Sequence, residues 1–216
     1  MRRGDDAERA RDLRTSREHG GPLRLLATHA TPRVRPAQCR RRPVLVLVVG
    51  PSGAGKDTLL AGARAALAGD ARFRFVRRAI TRPAEAGHED HEPVTEAEFA
   101  RRDFALSWAA HGLRYGIPAD IAEDLARGGT VVANVSRGVI GTAAARFPTR
   151  VVEVTAPPEV LAARLAERGR EDAADIAARL ARQVPLPAGV PLRRVVNDRS
   201  LAEGVAAFLA ALRDAD

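Results

Sequence analysis

Residues 50–58 read Gly50-Pro51-Ser52-Gly53-Ala54-Gly55-Lys56-Asp57-Thr58. Up to Lys56 they follow the phosphate-loop spacing G-x-x-x-x-G-K-[S/T], in which backbone N–H groups cradle phosphates at the start of a helix. Residues 51–58 are therefore the expected phosphate cradle. Lys56 is placed to bridge β- and γ-phosphates and to neutralise charge as it migrates. Asp57 stands where a hydroxyl normally holds Mg²⁺. It has two readings: an acid in the first turn favoured by the helix dipole, or a hard-oxygen Mg²⁺ ligand working against phosphate repulsion. Thr58, next to it, could instead offer its hydroxyl to the α-phosphate. One compositional fact supports a working loop: against 34 arginines the chain has a single lysine, Lys56. A compact ammonium fits a tight ring of backbone amides in a way that a planar guanidinium does not.

The segments around the loop have the right character to position it. The apolar run 43–49 reads as a buried parallel strand and 57–67 as the helix after it, the strand–loop–helix context that a phosphate loop requires. A second strand is expected at 73–80, then a turn-rich stretch. A short helix follows, opened by Thr95 and Glu98 at capping-box spacing. Residues 104–118 suggest short strands joined by a turn, and 119–129 a helix closed by Gly128 and Gly129. Strands are expected at 130–135 and 150–155 with a helix between them. Helices follow at 158–169 and 172–183, then a strand at 193–197. The last helix begins at a second capping box, Ser200 and Glu203. Strands alternating with helices imply a parallel sheet covered on both faces, with ligands at the carboxyl ends of its strands.

With 216 residues the chain suits one α/β domain. Its net charge of +8 is uneven: residues 1–42 hold 12 arginines against 5 acids, and the remainder is nearly balanced. The excess therefore sits in an Arg-rich extension at 1–42, expected to be disordered, and the domain proper runs over 43–216. That distribution gives no basic face for nucleic acid. The apolar run is too short to cross a membrane. A single cysteine, Cys39, fits a reducing, cytoplasmic setting.

The stretches "GPSGAGKDTLL", "ITRPAEAG", "HGLRYG", "RLAERGRED" and "NDRSL" occur in the order seen in guanylate-kinase-like nucleotide kinases, and the resemblance covers roughly residues 43–213. It implies a P-loop nucleoside-monophosphate-kinase fold with a small acceptor-binding insert and a lid. Several positions depart from guanylate kinases themselves. Their loop ends in Ser or Thr, where this chain has Asp57. The acceptor Arg and Tyr are replaced by Glu85 and, approximately, His91. Ser107 stands before Trp108 in place of a base-reading Glu, and Asn134 and Ser136 lie where the strand acid near the metal belongs.

Those departures resemble the ribose 1,5-bisphosphate phosphokinase family, whose loop reads G-P-S-G-x-G-K-D. The resemblance implies ATP- and Mg²⁺-dependent phosphorylation of a small phosphosugar, ribose 1,5-bisphosphate, to 5-phosphoribosyl 1-diphosphate. That step is linked to phosphonate breakdown and to NAD and nucleotide synthesis. The acceptor is a phosphate monoester, already anionic near neutrality because its second pKa is about 6, so arginines matter more than a general base. Arg78, Arg82, Arg114 and Arg137 lie in the acceptor-side segments. Arg82 is the first choice for an acceptor phosphate, and Tyr115, the sole tyrosine, a candidate hydrogen-bond donor. Arg164, Arg168 or Arg170 is expected in the lid over the ATP phosphates, with Arg179 behind. His88, His91 and His111 lack metal-ligand spacing; His91 with Glu89 is a candidate for sugar hydroxyls or for a plain loop role. Asn197 and Asp198 have two readings, a lining of the adenine pocket or a turn, of which the turn is favoured. The rival readings are a guanylate kinase acting on GMP and a non-catalytic guanylate-kinase-like interaction domain.

Overall fold

The computed structural model describes residues 42–83, 90–167 and 185–213. The chain divides after Gln38, and all described residues lie in the unit Cys39–Asp216. The Arg-rich extension, apart from Arg42, is outside them, as are the expected helix at 172–183 and two of the three lid candidates, Arg168 and Arg170.

The apolar run becomes β1 (Val44–Val49), with Leu45 to Val49 fully buried. It is apolar at every position because both faces are covered. Leu45, Leu47 and Val49 enter one core, while Val46 and Val48 enter another. β1 pairs in parallel with β7 (Thr130–Asn134) on one side and β8 (Thr149–Thr155) on the other. β2 (Phe73–Phe75) and β9 (Leu192–Val196) extend the sheet to the order β2-β7-β1-β8-β9. On the Val46 face lie Leu59 and Ala63 of α1 (Lys56–Ala66), Leu161 of α5 (Pro158–Glu167), and Phe208 and Leu212 of α6 (Leu201–Arg213). On the other lie Ile121 and Leu125 of α3 (Ile121–Ala126), and Ile140 and Ala143 of α4 (Ile140–Ala144). A 3₁₀ turn, Arg137–Val139, leads into α4, where one continuous helix was expected.

A second sheet of four strands forms the insert, in the order β4-β3-β6-β5: β3 (Ala79–Ile80), β4 (Glu92–Pro93), β5 (Phe104–Ala110) and β6 (Leu113–Pro118). The β5–β6 hairpin turns through His111 and Gly112, both at positive φ (53° and 70°), as a tight hairpin turn demands. α2 (Glu96–Ala100) begins at the expected capping box. The Glu98 N–H donates to Thr95 Oγ1 at 3.1 Å, and the Thr95 N–H donates to Glu98 Oε2 at 2.7 Å.

The single strand expected at 73–80 is two strands in two sheets. The Val76 N–H still donates to the Val132 carbonyl at 2.9 Å, and the chain then crosses to the insert through Arg77 and Arg78. No glycine or proline punctuates the crossing, so the sequence pattern gave no break. No helix among the described residues is long and apolar enough to cross a membrane.

Candidate active site

At the carboxyl end of β1 the chain turns sharply into the glycine-rich loop. A Cβ on Gly50 would stand 2.0 Å from the carbonyl oxygen of Val154 on β8, so only glycine passes there. Gly53 and Gly55 both adopt φ 83°, and Gly55 immediately precedes α1. Lys56, the first helical residue, folds back over the loop, and its Nζ donates to the carbonyls of Gly50 and Pro51, each at 2.8 Å. The ammonium and the helix's first N–H groups thus converge on one side of the loop, where an anion is favoured.

The loop is fastened from behind by a residue that sequence reading assigned to a turn. Asn197, buried beyond β9, donates through Nδ2 to the Ala54 carbonyl at 2.8 Å, and its own N–H donates to the Thr155 carbonyl at 2.7 Å. Arg164 of α5 donates to the Asn197 carbonyl at 3.0 Å and reaches the Gly53 carbonyl at 3.5 Å. Expected in the lid, Arg164 instead contacts the back of the loop. The only advance signal for Asn197 was its place at a strand end. Thr58 is exposed and shares a hollow of about 440 Å³ with Arg164, Glu167, Asn197, Arg199 and Leu201. A larger depression, about 510 Å³, lies between β2 and the insert. Its arginines are already engaged, Arg74 with Asp120 and Asp124, Arg77 with Asp90, Arg102 with Glu92.

Asp57, exposed in the first turn of α1, accepts a 3.0 Å hydrogen bond on Oδ1 from the side-chain amide of Asn134 at the end of β7. Two residues 77 positions apart in the chain meet because β7 and β1 run in parallel register, with Val48 opposite Asn134.

The expected acceptor residues fall into four groups. Arg78 sits over the rings of Tyr115 and Trp108, 5.3 Å and 6.0 Å from their centroids, and the rings themselves stack at 5.3 Å with planes 6° apart. This cation–π stack lies on the face of β6 that also carries Ile117 into the main core. Arg82 pairs with buried His91, whose Nε2 lies 3.2 Å from the Arg82 carbonyl oxygen and whose Nδ1 lies 3.4 Å from a guanidinium nitrogen. That contact gives His91 a role on Arg82 itself. Arg137 donates to Glu153 at 3.0 Å, and Arg194 donates to the other oxygen of the same buried carboxylate, also at 3.0 Å. Neither Glu153 nor Arg194 had a sequence signal. Arg114 points away, over Phe99 at 4.5 Å and toward Glu96 at 3.7 Å. Arg168, Arg170, Arg179, Glu85, His88 and Glu89 lie outside the described residues.

No family model matches the chain. It is 57% identical over 169 residues to ribose 1,5-bisphosphate phosphokinase PhnN of Acidiphilium cryptum, covering 78% of this chain and 91% of that one. The PhnN of Methylobacterium radiotolerans is 51% identical over 176 residues, covering 78% and 97%. The chain belongs to the ribose 1,5-bisphosphate phosphokinase family. Another relative is the bifunctional ribose 1,5-bisphosphokinase-thymidine phosphorylase of Cupriavidus necator, 55% identical over 172 residues; the match covers 77% of this chain but 28% of that longer protein. In fold, the family member described here is similar to the guanylate kinase of Anaplasma phagocytophilum, with a TM-score of 0.54, 17% identity, and coverage of 80% of this chain and 86% of that one. That likeness is one of architecture. The positions that departed from guanylate kinases include Asp57, Ser107 and Asn134, and Ser107 is exposed on β5, next in sequence to Trp108.

Proposed function

We propose that this chain transfers the γ-phosphoryl group of ATP to the 1-phosphate of ribose 1,5-bisphosphate, giving 5-phosphoribosyl 1-diphosphate, in the cytoplasm and in the kinase unit 43–216. What carries the reading is the loop from Gly50 to Thr58, with its sole lysine folded over it, in a chain 57% identical to a protein bearing that name.

The backbone amides of residues 51–58 and the Lys56 ammonium hold the donor phosphates, and Asn197 and Arg164 keep the loop in shape behind them. The acceptor phosphate needs no base, because a monoester with a second pKa of about 6 is already anionic. The barrier lies in bringing several negative charges together, and guanidinium groups lower it by gripping phosphates through two N–H bonds at once. Arg82, oriented by His91, takes one acceptor phosphate, and Arg78 with Tyr115 takes another. Arg137 spends one N–H on Glu153 and retains others for the transferring group. Arg168 is assigned to the lid over the ATP phosphates. The donor set suits Mg²⁺, since Asp57 offers an exposed hard carboxylate engaged through one oxygen. Mg²⁺ bound there would shield the β- and γ-phosphate oxygens from one another.

An assay of ADP release with ribose 1,5-bisphosphate and GMP as competing acceptors tests the reading. Turnover of ribose 1,5-bisphosphate alone is expected, and preferential turnover of GMP overturns it in favour of a guanylate kinase. Absence of turnover with either acceptor leaves a guanylate-kinase-like interaction domain.

A further inference from the structure

Asp57 and Asn134 form one unit of the molecule. P-loop enzymes ordinarily hold Mg²⁺ between a neutral loop hydroxyl and a strand Asp. Here the loop supplies the carboxylate and the strand supplies the neutral group. Both arrangements carry one negative charge and one hydrogen-bonding partner, but the charge has moved from the sheet to the first turn of α1.

That transfer creates a problem of orientation. A strand carboxylate is held by the sheet, whereas Asp57 is an exposed side chain free to swing into water or away from neighbouring phosphates. Asn134 is 8% exposed, and its backbone is fixed in register with Val48. Its amide donates to Asp57 Oδ1 at 3.0 Å. We propose that Asn134 is a positioning residue that pins the Asp57 carboxylate through Oδ1 and so presents Oδ2 to the divalent cation accompanying the donor nucleotide. An aspartate at 134 could not do this, because two carboxylates at that separation repel and compete for a proton. A serine there is too short to reach. The residue types at 57 and 134 are thus a matched pair.

The proposal rests on the function inferred above, and the test separates the two. ATP binding is measured at equilibrium on the full chain, in EDTA and at rising Mg²⁺, alongside the melting temperature of each nucleotide-free protein. For Asn134→Ala the Mg²⁺ concentration at half-effect should rise about tenfold or more, the usual cost of losing a group that orients a metal ligand, with ATP binding in EDTA little changed. Asp57→Asn, a substitution at an exposed site, should lose most of the Mg²⁺ enhancement. The exchange Asp57→Asn with Asn134→Asp returns the carboxylate to the strand and restores a donor opposite it. It should recover much of what each single change loses. If Asn134→Ala lowers the melting temperature but leaves Mg²⁺ dependence at the wild-type value, the amide serves the fold alone and the proposal is overturned. An exchange variant no better than the poorer single variant also overturns it. A wild-type chain that binds no ATP in any condition overturns the donor-site reading itself, before the variants are compared.

Discussion

On the proposed reading Lys56 offsets negative charge on the donor phosphates, so Lys56→Ala should lower turnover about 10²-fold or more, the scale set by removing one preorganised electrostatic donor, with little change in melting temperature. A steady-state assay beside a thermal melt checks both halves. Asn197 offers a different kind of test. Asn197→Asp keeps the shape but replaces the N–H donor facing the Ala54 carbonyl with a second acceptor. It should cost about 1–3 kcal/mol of stability, as for a buried group left unpaired, and weaken ATP binding together with it. The loop was readable from its spacing because its parts are local. Asn197 was not, since its partner lies 143 residues away in the chain and nothing in a strand-end asparagine says which carbonyl it meets. The same holds for Glu153, a lone acid in an apolar strand until Arg137 and Arg194 come to it.

Among the elements, α6 bears directly on the loop. Gly204 is buried in that helix, and a Cβ there would stand 2.6 Å from Asn197 Oδ1 and 3.1 Å from a Leu59 methyl carbon. Helix propensity alone favours alanine over glycine by up to about 1 kcal/mol. Gly204→Ala should nevertheless lower both the melting temperature and ATP affinity, because Asn197 is pinned at its other end. α3 gives a pH-dependent test. Its Asp124 binds Arg74 of β2 and Arg127 of its own C-terminal turn. Burial pushes the Asp124 carboxyl up, but hydrogen bonds from Arg74 and Arg127 outweigh it and hold it below the usual range. A carboxylate whose pKa is lowered by folding stabilises above its unfolded value, near 4, and loses that contribution as pH falls through the folded value. Asp124→Asn should therefore lower the melting temperature at neutral pH, and the gap from wild type should close in acid. The capping boxes of α2 and α6 could be read directly because each is a four-residue pattern. The division of 73–80 between two sheets could not, since only the positions of β7 and β6 decide it.

For the molecule as a whole, the PhnN relatives are covered over 91% and 97% of their length by alignments that take up 78% of this chain. About a fifth of the chain lies outside those alignments. Deleting residues 1–40 should leave the rate of phosphoryl transfer nearly unchanged, and the assay of ADP release would register any loss. The excess of arginine lies in residues 1–42, and the rest of the sequence is nearly neutral.

The stack of Arg78, Tyr115 and Trp108 brings together the sole tryptophan and the sole tyrosine of the chain. Any anion that draws the guanidinium away from the indole alters the surroundings of the single strong fluorophore. On the acceptor assignment proposed above, the molecule carries its own optical gauge for acceptor capture, one that needs no label and has no second indole to confuse the signal.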